Sequence, residues 1–351
     1  MIQERPASHV LSVVHVVRSD SFSGVERYIC EVANGLAERG HQVMTVGGDP
    51  ARMRAELSEG VENRPAASVG RAARALAALG PVDIVHAHMT AAEAAAWLAH
   101  PLQRSPIVAT RHFADDRGSS PLARALARVT SRVVSRDIAI SGFVAGSISG
   151  PSVLLHSGVP IRDQAPLDGH DVLMLQRISI EKATDVGLRA WAESGLGAAG
   201  WRLVVAGTGD HLDTAMQSAS ALGVADSVVF AGHVVDTGRL LTRTSILLAP
   251  APAEPFGLSV VEAMAHGIPV VAAGAGAHLE TVGDAGMLFA PGSASDAAKA
   301  LKALAGDQDL RRRMGADLRR RQQELFTVDR HLDGLEAIYA EVTGSGVAVT
   351  W

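Results

Sequence analysis

Cysteine is almost absent. Cys30 stands alone in 351 residues, so the chain can form no internal disulfide. It falls within a helical pattern, where a buried core thiol is the expected role, and a reducing, cytoplasmic setting follows. Long apolar runs are missing too. The longest early one, Val10–Val17, carries His15 and lacks a basic flank, so it is neither a signal peptide nor a membrane span. It reads as a first buried strand. No part of the chain is strongly basic: residues 1–160 hold 16 basic and 14 acidic side chains, net +2, and the remainder 16 and 23, net −7. That balance argues against general nucleic-acid binding. Lysine is the scarcest cation, at positions 182, 299 and 302 only, so Lys182 departs from a chain that otherwise uses arginine. There is no short-period repeat and no low-complexity tract of consequence.

What is present is length and alternation. At 351 residues, 47% hydrophobic and 20% charged, the chain suits two soluble globular domains better than one core. Short apolar runs alternate with helical patterns, which points to parallel sheets covered by helices. In the first half the strands are Val10–Val17, Gln42–Val46, Asp83–His88, Ile107–Thr110 and Asp137–Ser141. Helices lie between them at about 26–39 and 70–79, over an Ala-rich stretch after His88, and at 121–135. The polar stretch Ile161–His170 reads as a linker. Strands then follow at Val172–Gln176, Trp201–Ala206, Val228–Ala231 and Ser245–Ala249, with helices at Ala183–Ser194 and His211–Leu222. From about Asp296 the chain is helical, broken at 326–328. Two Rossmann-like α/β domains in series is the economical reading.

The densest stretch is Ala251–Gly292. Pro255 holds Glu254 in extended backbone, and Gly257 allows a sharp turn. Ser259 with Glu262 has the spacing of a capping box. Gly267 and Pro269 end the helix before a buried strand at Val270–Ala272. A helix start of this kind favours an anion such as phosphate. Glu254 and Glu262 flank it, placed to accept hydrogen bonds from hydroxyls.

This stretch resembles the E-x7-E segment of retaining, family-4-type glycosyltransferases, whose GT-B architecture sets two Rossmann-like domains face to face across a cleft. The resemblance implies that Glu254 faces a donor sugar and that Glu262 binds the ribose of its nucleotide. It also implies that the amides of Phe256, Gly257 and Leu258 meet the diphosphate. Other segments match in order. Arg177 and Lys182, five apart on a loop entering a helix, suit a diphosphate by their charge. They fit the family's G-R-x4-K-G with both glycines replaced, by Gln176 and Ala183. Gly207-Thr208-Gly209 matches G-x-G, and Phe230 to Val234 matches F-x-G-x-V, where His233 and Val234 carry backbone groups to the nucleobase. Gly276 to Glu280 resembles G-G-x-x-E with Ala277 in place of the second glycine. Ser23-Gly24-Val25-Glu26 stands for G-G-x-E, a loop approaching the donor phosphate. Thr110-Arg111-His112 matches T-x-H, which implies that His112 lies near the reacting sugar and that His88 is structural.

Three features have blander readings. His86, His88 and His112 have the look of a metal cluster, but no carboxylate completes it by spacing, and no metal is expected. Asp307-Gln308-Asp309 reads as a helix N-cap. Arg124, Arg128, Arg132 and Arg136 recur every four residues on one helix face, opposite Leu122, Leu126, Val129 and Val133. A solvated face is the simpler reading; weak peripheral contact with an anionic membrane is the alternative.

The resemblance implies a metal-independent hexosyl- or N-acetylhexosaminyltransferase without a tightly bound cofactor. It would use a nucleotide diphosphate sugar as co-substrate, UDP-linked ahead of GDP-linked. The acceptor is a small metabolite, a glycan or a lipid carrier. Domains are expected at 1–160, joined by a C-terminal helix at about 328–345, and at 161–327. A nucleotide-sugar 2-epimerase and a silent sugar-nucleotide binding protein are the alternatives within this architecture.

Overall fold

The structure, a computed structural model, describes residues 9–114 and 127–345. The chain divides into two compact units, one running to Gly158 and resuming at Val328, the other Val159–Thr327.

The first unit holds a seven-stranded sheet. Its strands are β1 Ser12–Val17, β2 Gln42–Val46, β3 Glu62–Arg64, β4 Ile84–His88, β5 Ile107–Arg111, β6 Val134–Ala139 and β7 Ser152–Leu154, in spatial order 3-2-1-4-5-6-7. Every pairing is parallel. Parallel strands are covered on both faces, so β4 and β5 are buried at every position, histidines and arginine included. The helix Val328–Thr343 packs Leu332, Leu335, Ile338 and Tyr339 into this unit's core. It can approach the helix Gly24–Glu38 closely because Gly35 has no side chain: a Cβ there would lie 2.5 Å from Leu332 Cδ1. Arg39, 7% exposed at its side chain, clamps the same helix through Asp329, Asp333 and Glu336 at 2.9, 2.8 and 2.7 Å.

The second unit holds a six-stranded parallel sheet: β8 Asp171–Leu175, β9 Arg202–Ala206, β10 Val228–Gly232, β11 Ile246–Ala249, β12 Val270–Ala273 and β13 Met287–Phe289, in order 10-9-8-11-12-13. In both sheets the strand order reverses beside the unit's first strand, between β1 and β4 and between β8 and β11. Open α/β sheets bind ligands at that reversal.

Three expectations change. The three-residue strands β3, β7 and β13 are too short to show as apolar runs. The expected linker is seated on the second unit: the Ala165 amide donates to the His266 carbonyl at 2.8 Å, and Ala165 and Leu167 are buried. The helix expected over 121–135 ends early. Residues 127–130 are helical, Ser131–Val133 form one 3-10 turn, and β6 begins at Val134. Ladder pairing of Val134 and Arg136 with β5 takes residues that periodicity places in the helix, the β-branched Val134 among them. Arg128, Arg132 and Arg136 therefore share no helix face, and Arg136 ion-pairs with Glu341. Arg124, Leu122 and Leu126 lie outside the described residues. Among those described, no helix is long and apolar enough to cross a membrane.

Candidate active site

The residues singled out from the sequence fall into two groups, one in each unit. In the second unit they occupy the loops after β8, β9, β10 and β11.

The loop after β8 carries Arg177 and Lys182. It is laced to the loop after β9: the Gln176 amide donates to the Ala206 carbonyl at 3.0 Å, Ile178 to Thr208 at 2.9 Å, and His211 back to Ile178 at 3.1 Å. The parallel ladder thus continues past the strand ends. Gly207 and Gly209 permit it, since a Cβ on Gly207 would stand 1.9 Å from the Gln176 carbonyl oxygen and one on Gly209 2.0 Å from that of Ile178. The G-x-G here has a structural reason independent of any ligand. The Gly207 amide also donates to the Gly232 carbonyl at 2.8 Å, which draws in the loop bearing exposed His233 and half-buried Val234.

Gln176, at a family glycine position, holds the Lys182 turn. Its side-chain Nε2 donates to the Lys182 carbonyl and to Thr184 Oγ1, each at 3.0 Å. Ala183, at the other, sits at φ +50°, the left-handed backbone that glycine adopts freely. The fold keeps the turn with a less suitable residue.

Lys182 Nζ then meets Glu254 Oε2 at 2.6 Å, with both side chains largely enclosed. This joins the loops after β8 and β11, at the reversal of strand order. Arg177 does not join them. It pairs with Glu181, and its side chain is 65% exposed.

Beyond Glu254 the chain turns at Gly257, φ +86°, and the helix Leu258–Ala265 follows. The expected capping box at Ser259 is not formed. The left-handed glycine caps the helix two residues earlier, so Ser259 lies inside the first turn, and the Gly257 carbonyl accepts from Val260 and Val261. Helices leave their first amides without intrahelical partners, which puts the amides of Leu258 and Ser259 at the site. Phe256 is buried and packs edge-on against Phe326, so it offers the site only its backbone. Glu262, half-buried, lies one turn beyond Leu258 on the same helix face. Gly276, φ +57°, brings the next loop in, and the Ala277 amide donates to the Glu254 carbonyl at 2.9 Å. The two loops approach closely with Ala277 in place of the second glycine. Asp307 caps the helix Gln308–Leu325 as expected.

Sequence spacing does not single out His278. It is fully buried, its Nδ1 lies 3.1 Å from the Ala273 carbonyl oxygen, and its Nε2 has no partner among the described residues. A carbonyl only accepts, so Nδ1 carries the proton and Nε2 is a bare acceptor. Burial, with Lys182 adding to it, lowers the ring's pKa against the opposing pull of Glu254. The only signal is a histidine inside an otherwise apolar and glycine-rich segment.

In the first unit Ser23 caps the helix Gly24–Glu38. The Glu26 carboxylate accepts from the Ser23 amide and hydroxyl at 2.8 and 2.6 Å and from the Ser19 hydroxyl at 2.5 Å. Ser23 and Gly24 are exposed, but the Ser23 amide is already engaged within the loop.

His112 ends a buried array that also holds His15, His86, His88 and His331. His15 on β1 is the register partner of His86 on β4. His86 bonds the Tyr339 and Thr110 hydroxyls at 2.6 and 2.7 Å, and His331 bonds the Tyr28 hydroxyl at 2.7 Å. Burial pushes His15 and His112 down to about 3 and His331 to about 4, and holds His86 and His88 well below the ordinary value. All five are neutral at pH 7. Ligand nitrogens of His15, His86 and His88 lie within 4.8 Å of one another. Both nitrogens of His86 already bond hydroxyls and both of His88 bond imidazoles, so a cation there would have to displace those partners.

Comparison with known proteins matches this layout. The model of glycosyl transferases group 1 covers residues 161–321, and that of glycosyltransferase family 4 covers residues 22–150. A lipopolysaccharide core biosynthesis mannosyltransferase of Rhizobium leguminosarum is 30% identical over 182 residues, 50% of this chain and 52% of that protein. An N-acetyl-alpha-D-glucosaminyl L-malate synthase of Bacillus anthracis is 31% identical over 143 residues, 40% of this chain and 38% of that protein. The chain thus spans about half or less of these relatives' length. An Anabaena protein whose crystal structure is in complex with UDP and glucose superposes with a TM-score of 0.81 at 21% identity, covering 96% of this chain and 100% of that one. The chain belongs to the group 1, family-4-type glycosyltransferases of GT-B architecture.

Proposed function

We propose that this protein transfers a sugar, with retention, from a nucleotide diphosphate donor to an acceptor hydroxyl. A UDP-sugar is favoured over a GDP-sugar, and the acceptor is a small metabolite, a glycan or a lipid carrier. The observation that carries the reading is the Lys182–Glu254 pair at the strand-order reversal of the second unit, beside the amides that open the helix Leu258–Ala265. A cation and helix-start amides suit the diphosphate, and a carboxylate next to them suits a sugar hydroxyl.

In this mechanism Lys182, Arg177 and the amides of Phe256 to Leu258 stabilise charge on the departing diphosphate. Gly207, Gly209, His233 and Val234 line the nucleotide side. Glu254 orients the sugar, Glu262 holds the ribose, and Ser23 and Gly24 approach the donor phosphate. His112 acts at the reacting sugar. The sequence singles out no carboxylate as a nucleophile, so a front-face displacement is preferred, in which the diphosphate helps deprotonate the acceptor. The chemistry needs neither a metal nor a tightly bound cofactor. The sugar is of the hexosyl or N-acetylhexosaminyl type, in keeping with the names of the Rhizobium and Bacillus relatives.

The test is a thermal-shift panel of UDP, GDP, ADP and TDP with their common sugars. A ligand at 100 times its Kd stabilises by about 2.7 kcal/mol, a readily visible shift. One nucleotide standing clear identifies the donor class and opens an acceptor screen. Isomerised donor without acceptor would make the protein an epimerase. Binding without release of nucleotide diphosphate would make it a silent binder, and no shift with any nucleotide would defeat the reading.

A further inference from the structure

His112 is the outer end of a file of three imidazoles. Its Nε2 lies 3.1 Å from His88 Nδ1, and His88 Nε2 lies 3.0 Å from His15 Nδ1. The file stops at His15 Nε2, which is buried and has no hydrogen-bond partner among the described residues. His15 and His88 are fully buried and His112 is 8% exposed, so only its outer edge reaches the surface of the unit. The ring planes are held from the sides. Tyr28 packs edge-on against His88 and His112 at 5.7 and 5.0 Å, and His86 stacks on His88 at 4.4 Å.

A neutral imidazole has one N–H and one bare nitrogen. Each contact in the file therefore needs one ring to donate and its neighbour to accept. Fixing any one tautomer fixes the other two, and only two arrangements satisfy both contacts. In the first, every N–H points inward, and His15 Nε2–H is a buried donor with no acceptor. In the second, every N–H points outward. His15 Nδ1–H then donates to His88, His88 Nδ1–H donates to His112, and the unpartnered His15 Nε2 is only a lone pair. Buried main-chain N–H groups are left without a partner more rarely than buried carbonyls, and the same preference applied to His15 Nε2 favours the second arrangement. Burial keeps all three rings uncharged at neutral pH, so no imidazolium breaks the alternation.

We propose that His15 and His88 are positioning residues that lock His112 in its Nδ1–H tautomer, so that His112 meets the reacting sugar as a hydrogen-bond donor rather than as a proton acceptor. The role at the sugar rests on the transferase reading above; the lock itself does not. A ring held this way donates to an oxygen lone pair on the substrate and cannot serve as a general base through Nδ1. Neither His15 nor His88 touches substrate, so their effect passes through the orientation and tautomer of His112.

The test is a long-range 1H–15N correlation spectrum of the full chain labelled at histidine, without substrate. The expected His112 pattern has a protonated Nδ1 and a pyridine-like Nε2. In His88→Leu the lock is gone, the Nε2–H form appears, and turnover falls about tenfold, the loss expected for one hydrogen bond, while KM for the donor changes little. His88→Asn puts an amide donor where Nδ1 stood and should restore both the pattern and most of the turnover. If His88→Leu does not fold, His15→Leu frees the inner anchor, and both tautomers of His112 should then be seen. A wild-type His112 protonated on Nε2, or one whose pattern survives both leucine variants, overturns the proposal. A locked tautomer in a protein that binds no nucleotide would overturn the transferase reading and leave the lock standing.

Discussion

Lys182 Nζ and Glu254 Oε2 lie 2.6 Å apart across 72 residues of sequence. Their side chains are 19% and 16% exposed, so the pair is shielded more than a surface salt bridge. The cation proposed to receive the diphosphate is paired with the acid proposed to receive the sugar. The two substitutions should therefore move nucleotide affinity in opposite directions. Lys182→Ala removes the phosphate contact and should weaken UDP at least tenfold. Glu254→Gln leaves Lys182 free of its competitor and should tighten bare UDP about fivefold, for a coupling of roughly 1 kcal/mol, while lowering turnover with the sugar donor. Titration calorimetry of both variants gives the answer. Weaker UDP binding in Glu254→Gln would show that the acid supports the phosphate site instead of competing for it. Lys182→Ala should lose far more turnover than stability, and unchanged turnover would remove Lys182 from the phosphate.

The G-x-G after β9 makes a separate, structural prediction. A Cβ at Gly207 or Gly209 would stand 1.9 or 2.0 Å from a backbone oxygen, and backbone cannot step aside as a side chain can. Gly207→Ala and Gly209→Ala should each cost about 3 kcal/mol in urea unfolding, before any ligand is considered. Gly232, at φ +64°, has open space where a Cβ would go, with nothing within 4 Å, and should cost only about 1 kcal/mol as alanine. Equal costs at Gly207 and Gly232, both at positive φ, would mean that backbone conformation, not the approach of the β8 loop, sets the requirement there.

The alternation of apolar runs and helical patterns made the two parallel sheets legible because parallel strands buried on both faces leave continuous runs of Val, Ile, Leu and Ala. Strands of three residues leave none, so β3, β7 and β13 are invisible to it. Gly257 and Gly267 were legible as turn and stop, and both are left-handed at φ +86° and +66°. Ser259 misleads because the capping-box spacing is met by any serine and glutamate three apart, and the glycine two positions earlier takes the cap. The arginine series misleads for a related reason: period four over 124–136 says helix only while no neighbouring strand claims the residues. The site's central contact is hidden altogether. Lys182 and Glu254 each stand out, but their pairing needs β8 beside β11, a long-range adjacency that no local spacing encodes. The histidine file needs β1 beside β4 and β4 beside β5, and His331 reaches it from the other end of the chain.

Arg39 anchors that distant segment. It closes the helix Gly24–Glu38 and holds Asp329, Asp333 and Glu336, with His41 adding a contact to Glu336 at 3.0 Å. The Arg39 side chain is nearly buried while Asp329 and Asp333 are exposed, so the charge is shared with water at one end and fixed at the other. Arg39→Ala should lower stability by about 2 kcal/mol. Hydrogen exchange should localise the effect, with amides of Val328–Thr343 losing protection before those of β1 and β4. Uniform loss across the first unit would mean that the helix and the sheet open together and that Arg39 is not the hinge pin.

The buried histidines predict how stability depends on pH. His15 and His112 have folded values of about 3 and His331 about 4, against 6.5 for the free side chain. The main cause is burial, with the charge on neighbouring histidines adding to it, and the buried hydroxyls of Tyr28 and Tyr339, their pKa values raised by burial, stay uncharged beside them. A depressed histidine is neutral in the fold and protonated in the unfolded chain below pH 6.5, so acid favours unfolding. The contribution is complete above about pH 6.5 and is lost as pH falls toward the folded values. Each such ring changes stability by at most about 1.4 kcal/mol per pH unit, so these three together reach a slope of about 4 kcal/mol per unit near pH 5. Carboxylates held low in the fold, such as Asp83 and Glu336, act in the same direction but lower, around and below pH 4.5. Urea midpoints should be level from pH 8 to 7 and fall steeply between pH 6 and 5, ahead of the carboxylate range. A midpoint that stays level to pH 5 would mean that water reaches the histidines, that they protonate in the fold as they do in the unfolded chain, and that they are not the closed, neutral array described.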